Sequence, residues 1–207
     1  MISKIALNIA DSFVSKNIIR EEMRDVCIYG LDLMISGIIN VAVVLITGAL
    51  IGKFLLAIVF MAILIPLRMF TGGYHADTHI GCNVVCIVTF ILSILLLGLI
   101  QKHTLETVTW GLLCVCIIII AKFSPIENPN KKVTSEQKIR YKHISVSMCS
   151  VLSVVSIIMN IISCSKDEQN LLKLQMLSLY INITLIIIAG TMVLGRWKEG
   201  RGKCQTS

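Results

Sequence analysis

Between two long apolar runs lies the stretch Arg68-Met-Phe-Thr-Gly-Gly-Tyr-His75-Ala-Asp-Thr-His-Ile-Gly-Cys82, which carries an imidazole and a thiol seven residues apart. That pair is the smallest set of groups for cysteine-nucleophile chemistry. The imidazole takes the thiol proton, the sulfur attacks a carbonyl, and the imidazole returns the proton to the leaving amine. Spacing sets a condition on this reading. On one unbroken helix His75 and Cys82 would share a face yet lie about 10.5 Å apart along the axis, too far for proton transfer. Within one chain the pair works only if a helix begins between them. Asp77 or Thr78 would be its N-cap, and His75 would sit on a loop that Gly72 and Gly73 let fold back. Cys82 then falls in the first turn or so, where unpaired amides and the helix dipole favour a thiolate. Backbone amides at Gly72, Gly73 or the helix start are the candidates for an oxyanion hole.

The same stretch invites a metal reading, because His75, His79, Cys82 and Cys86 form one stripe of a helix and zinc favours such ligands. That stripe is about 16 Å long, whereas ligands to one ion must all reach within roughly 2.0 to 2.3 Å of it. The zinc-protease pattern also needs Glu directly after the first His, and here that position is Ala76. No metal and no cofactor are expected.

The elements that must position these groups belong to a membrane. Hydrophobic residues make up 56% of the 207, charged residues 15%, and mean hydropathy is +0.85, whereas about a quarter of a soluble domain is charged. Six apolar segments stand out: Leu31 to Ile51, Phe54 to Leu67, Cys82 to Ile100, Val108 to Phe123, Ile144 to Cys164 and Leu174 to Leu194. Most approach the roughly 20 residues needed to cross the hydrocarbon core. Phe54 to Leu67 and Val108 to Phe123 are short, and Pro66 sits near the end of the former. The fold class expected is an all-α integral membrane protein of about six transmembrane helices. An amphipathic interfacial helix precedes them within residues 1–30: Ile2, Ile5, Ala6, Ile9 and Phe13 recur at helical spacing, opposite Lys4, Asp11, Ser12 and Lys16. The whole of 1–207 is read as one membrane domain. It comprises a bundle over 31–195 with a candidate catalytic loop at 68–82 and a cytoplasmic loop at 124–143, then a basic tail over 196–207.

Basic residues orient the bundle. With a cytoplasmic N-terminus and six crossings, fifteen Lys and Arg fall inside and only Lys53, Lys102, Lys166 and Lys173 outside, a strong positive-inside bias. Both termini and the His75/Cys82 loop then face the cytoplasm. The net charge of +7 therefore reads as topology and attraction to anionic membrane lipid. It does not read as nucleic-acid binding, since the charges are scattered without interleaved aromatics. Four of the eight cysteines, Cys86, Cys114, Cys116 and Cys149, lie inside apolar spans, where Cys acts as a small hydrophobe. Cys82 differs in its polar surroundings. An alternative function class, a small multi-span transporter of peptide or ion without proteolytic activity, lacks a mid-span acid–base pair and an internal duplication.

The run Arg68, Thr71-Gly72-Gly73-Tyr74-His75 followed by Cys82 resembles the active-site segment of the accessory gene regulator protein B family, membrane cysteine endopeptidases of Gram-positive bacteria. Resemblance extends over nearly the whole chain and includes the Pro125-Ile-Glu-Asn-Pro-Asn-Lys131 stretch after the fourth span. Relatives often continue that stretch as Asn-Lys-Pro, whereas here it reads Asn130-Lys131-Lys132. The resemblance implies a bacterial cell-membrane enzyme, a homodimer, acting in quorum sensing. Its substrate would be a short precursor peptide with an amphipathic leader and an acidic C-terminal tail. Cys82 would attack the junction before that tail with His75 as base, and the acyl-enzyme would be resolved by ring closure to a thiolactone or lactone. Arg68, Lys131 and Lys132, with Lys138, Arg140 and Lys142, would dock the acidic tail.

Overall fold

The structure, a computed structural model, describes residues 2–71, 79–102, 106–124, 134–164 and 169–204. Within them the chain is helical apart from short turns: α1 (Ile2–Ser15), a short 3-10 turn at Glu21–Met23, α2 (Arg24–Leu50), α3 (Phe54–Thr71), α4 (His79–Lys102), α5 (Glu106–Phe123), α6 (Ser135–Cys164) and α7 (Gln169–Cys204). Five of these helices are long and apolar enough to cross a membrane, with Thr109–Phe123 as a shorter apolar sixth. The protein is therefore an all-α, multi-pass membrane protein. Each apolar run of the sequence corresponds to one of α2 to α7. The two short runs are extended by polar ends. α3 continues through Pro66 to Thr71 and carries Arg68 in its last turn. α3 and α5 each have 18 residues, about 27 Å of helix.

α7 is the hub. It packs against α3, α4, α5 and α6, and 67% of its apolar window is buried, against 17 to 33% for the other long spans. Two apolar clusters flank it. One joins α2, α3 and α4 to α7 through Val44, Phe60, Phe90 and Tyr180; the other joins α3, α5 and α6 to α7 through Leu67, Ile120, Cys149 and Met192. Lipid is as apolar as these side chains, so burial alone does not hold membrane helices together; close packing and interhelical hydrogen bonds do. Both are present. The Ser156 hydroxyl donates to Asn182 Oδ1 at 2.7 Å, and Ser178 donates to the Ser156 carbonyl at 3.0 Å, tying α6 to α7. Tyr180 lies 3.0 Å from the Ser93 hydroxyl, tying α7 to α4.

The α2–α3 hairpin turns on two glycines. Gly52, at φ +70°, takes the left-handed conformation that ends many helices. Lys53 N–H then donates to Gly48 O at 2.7 Å and Gly52 N–H to Ala49 O at 3.1 Å. At Gly48 a Cβ would come within 2.5 Å of Ala57 Cβ, so only glycine admits this crossing. At the other end of the chain α1 packs on α2, burying Ala6 and Ala10. Arg24 Nε donates to Asp11 Oδ1 at 2.7 Å across the join, and Ile5 and Leu7 stay exposed.

Candidate active site

The spacing of His75 and Cys82 requires that a helix start between them, a condition that falls on residues 72–78, outside the described ones. α4 is described from His79 onward, and Cys82 is the fourth of its described residues. His75, with Gly72 and Gly73, lies outside the described residues, as do Lys131 and Lys132. Cys82 and Arg68 are brought together. Arg68 Nη2 donates to Cys82 Sγ at 3.3 Å.

Local sequence explains that meeting. α3 runs on past Pro66, so the guanidinium stem starts from an ordered helix, and Arg68 projects toward α4. A charged side chain in a span is costly unless it is paired or reaches water, and a nearby sulfur is one place where its N–H groups are used. A guanidinium hydrogen bond is charge-assisted and strengthens further when its acceptor is an anion, so this neighbour favours sulfur acting as a nucleophile.

A second donor comes from α2. Asn40 Nδ2 lies 3.7 Å from Cys82 Sγ, across 42 residues of sequence. Asn40 was not among the residues singled out from the sequence. Its signal was an amide well inside the apolar stretch of α2, where such groups are expensive, but nothing in the spacing linked it to Cys82. Cys82 thus sits where α2, α3 and α4 converge, half-buried. Asn40 Oδ1 beside it, and Thr71 Oγ1 and Asn83 Oδ1 on α3 and α4, are buried and have no hydrogen-bond partner among the described residues.

One helical turn along α4 from Cys82 is a small cavity of about 20 Å³ between α3, α4 and α7, with Arg68, Thr71, Cys86, Thr89 and Thr191 in its wall. It has room for about one water, not for a peptide side chain of any size. The end of the bundle nearest Cys82 is basic. The Phe70 ring stands 5.9 Å from the Tyr141 ring, which seats the first turns of α6, with Lys138, Arg140 and Lys142, beside the last turn of α3. Arg140 and Lys142 are exposed.

Comparison with known proteins gives a consistent picture. A match to the family described as accessory gene regulator B covers residues 4–195. The chain is 28% identical over 171 residues to a protein of Clostridium perfringens strain 13 named AgrB-like protein 2, covering 77% of this chain and 78% of that one. It is 25% identical over 202 residues to an AgrB-like protein of Clostridium perfringens strain SM101, covering 93% of this chain and 92% of the relative. No solved structure matches the chain.

Proposed function

The chain belongs to the accessory gene regulator B family, and from that membership and the surroundings of Cys82 we propose that it is a membrane cysteine endopeptidase acting on a short quorum-sensing precursor peptide. The observation that carries the reading is the convergence on Cys82 Sγ of the Arg68 guanidinium at 3.3 Å and the Asn40 amide at 3.7 Å. A cysteine that served only as a small hydrophobe would not draw an arginine into a span.

In this reading His75 removes the Cys82 proton, and sulfur attacks the carbonyl carbon before the acidic tail of the precursor. The C–N bond breaks, the leaving amine takes the proton from His75, and the shortened peptide stays on Cys82 as a thioester. A thiol or hydroxyl within the peptide then attacks the thioester carbonyl. The Cys82 sulfur leaves and a thiolactone or lactone ring closes. Ring closure competes with hydrolysis, so a site set among spans, with limited access for water, serves the second step.

Docking follows from charge. Lys138, Arg140 and Lys142 stand beside the site end of α3, and their charge, with that of Lys131 and Lys132 shortly before them in the sequence, is complementary to an acidic tail. The excess of Lys and Arg at that end supports a cytoplasmic site with both termini inside, by the positive-inside rule. The exposed Ile5 and Leu7 of α1 suit a helix lying at the lipid interface. A homodimer in the bacterial cell membrane completes the proposal.

The test is co-expression with the candidate precursor, following tail release by mass. Cys82→Ala and His75→Ala should each abolish release while the protein still accumulates in the membrane. Release that persists in either variant removes the proposal.

A further inference from the structure

The strongest unassigned feature is the amide of Asn40. It sits in the apolar stretch of α2, its Nδ2 is 3.7 Å from the sulfur, and its Oδ1 is buried with no hydrogen-bond partner among the described residues. A primary amide in that setting is expensive when only one side of it is used, and then only by a long contact to sulfur. Several serine and threonine hydroxyls elsewhere in the spans bond their own helix's backbone, as Thr47 does to Val43 O at 2.8 Å and Thr89 to Val85 O at 2.8 Å. Asparagine at position 40 does nothing of the kind; its donor is aimed at the candidate nucleophile.

We propose that Asn40 is a catalytic residue that donates its Nδ2–H to the acyl oxygen as Cys82 attacks, so that α2 supplies half of an oxyanion hole whose other half is Arg68. The inference rests on the cysteine-endopeptidase reading of Cys82 and deepens it. In the tetrahedral adduct the oxygen is borne by the carbon newly bonded to sulfur. Donors that already reach the sulfur from two helices need only a small side-chain shift to reach that oxygen. The exchange favours the transition state. A neutral amide bonds weakly to sulfur at this distance, whereas its hydrogen bond to a full oxygen anion is charge-assisted and stronger. Stabilisation therefore grows as charge moves from sulfur to oxygen, and only such differential binding accelerates a reaction. The unpartnered Oδ1 has a role in the same arrangement. It accepts a backbone N–H of the bound peptide, so one side chain pairs with both kinds of peptide group, which fixes the carbonyl's orientation to the sulfur.

The experiment measures two rates on the full-length protein in membranes. One is tail release from the precursor. The other is alkylation of Cys82 by iodoacetamide, followed by peptide mass mapping. Alkylation is a displacement at saturated carbon that generates no oxyanion, so it reads the sulfur alone. Asn40→Leu keeps the side chain's approximate size and suits an apolar helix. It should lower the rate constant for tail release about 10²- to 10³-fold, the range for losing one oxyanion donor, while alkylation stays within a few-fold of the native rate. Asn40→Gln, which keeps the N–H donors on a longer stem, should recover part of the loss. Release within a few-fold of native in Asn40→Leu overturns the proposal. So does a joint fall of release and alkylation, which marks a residue that only places the sulfur or holds the fold. Cys82→Ala separates the two levels of argument. If it still releases the tail, the cysteine reading falls and the Asn40 role with it; if it is inactive while Asn40→Leu is active, only the Asn40 role falls.

Discussion

Arg68→Met is the substitution whose effect on the sulfur follows most directly from the geometry. Methionine matches the arginine stem in reach, removes the charge and lowers the cost of the position in lipid, so the bundle keeps its fold. What is lost is the 3.3 Å hydrogen bond from Nη2 to Cys82 Sγ. A hydrogen bond to a charged group is worth about 1.5–3 kcal/mol net, and each ~1.4 kcal/mol is a factor of ten in rate. Alkylation of Cys82 by iodoacetamide at neutral pH should therefore slow by about ten- to a hundredfold. Because iodoacetamide is small and uncharged, docking of an acidic tail plays no part in that number. Arg68→Lys should fall between, since an ammonium keeps the charge without the planar fork that fixes its direction. Peptide mass mapping separates Cys82 from the other seven cysteines. Unchanged alkylation in Arg68→Met would refute the claim that the guanidinium supports the sulfur, and would return Arg68 to a docking or topological role.

Other outcomes follow from the packing. Gly48→Ala places a Cβ 2.5 Å from that of Ala57 and should destabilise the α2–α3 hairpin by about 1–3 kcal/mol through overpacking. Thermal unfolding in detergent measures this, and Ala57→Gly in the same chain should restore the midpoint. Ser156→Ala removes the 2.7 Å bond to Asn182 and should cost up to about 1.7 kcal/mol, the upper end for interhelical hydrogen bonds in membranes. A midpoint equal to the native one would show that this hydrogen bond adds nothing to the α6–α7 contact. Cysteine placed at Lys53, in the α2–α3 turn, should react with an impermeant maleimide from outside the cell, and cysteine placed at Lys142 only after the membrane is opened. The reverse pattern would invert the proposed topology.

Element boundaries were legible because the apolar runs are long and their interruptions polar. The two short runs mark only the most apolar part of their helices: α3 continues past Pro66 through Arg68 to Thr71, and α5 includes Glu106 and Thr107 ahead of its apolar run. The helix start that the His75–Cys82 pair needs falls on residues 72–78, outside the described ones, so it remains an expectation from chemistry. The central place of α7 was not legible. Leu174 to Leu194 is no more apolar than its neighbours, and in lipid an apolar residue gives no sign of whether it faces a helix or an acyl chain. Its polar residues carried the better signal, because Ser178, Asn182 and Thr184 are all fully buried where lipid would not take them. Asn40 was missed for a related reason: a lone amide in a span points to a partner but not to which one, and the partner was 42 residues away. His75, Gly72, Gly73, Lys131 and Lys132 fall outside the described residues, so their roles rest on the sequence and the family.

The central claim is that the Cys82 sulfur becomes covalently joined to the peptide. Replacing the ring-forming residue of the precursor by alanine blocks resolution of the thioester, and intact mass spectrometry of the protein then reads the trapped species directly. The account predicts an adduct on Cys82 equal in mass to the precursor minus its acidic tail, less the thiol proton, sensitive to hydroxylamine and absent in Cys82→Ala. Tail release without any adduct on Cys82, or an adduct that persists when Cys82 is alanine, would contradict it.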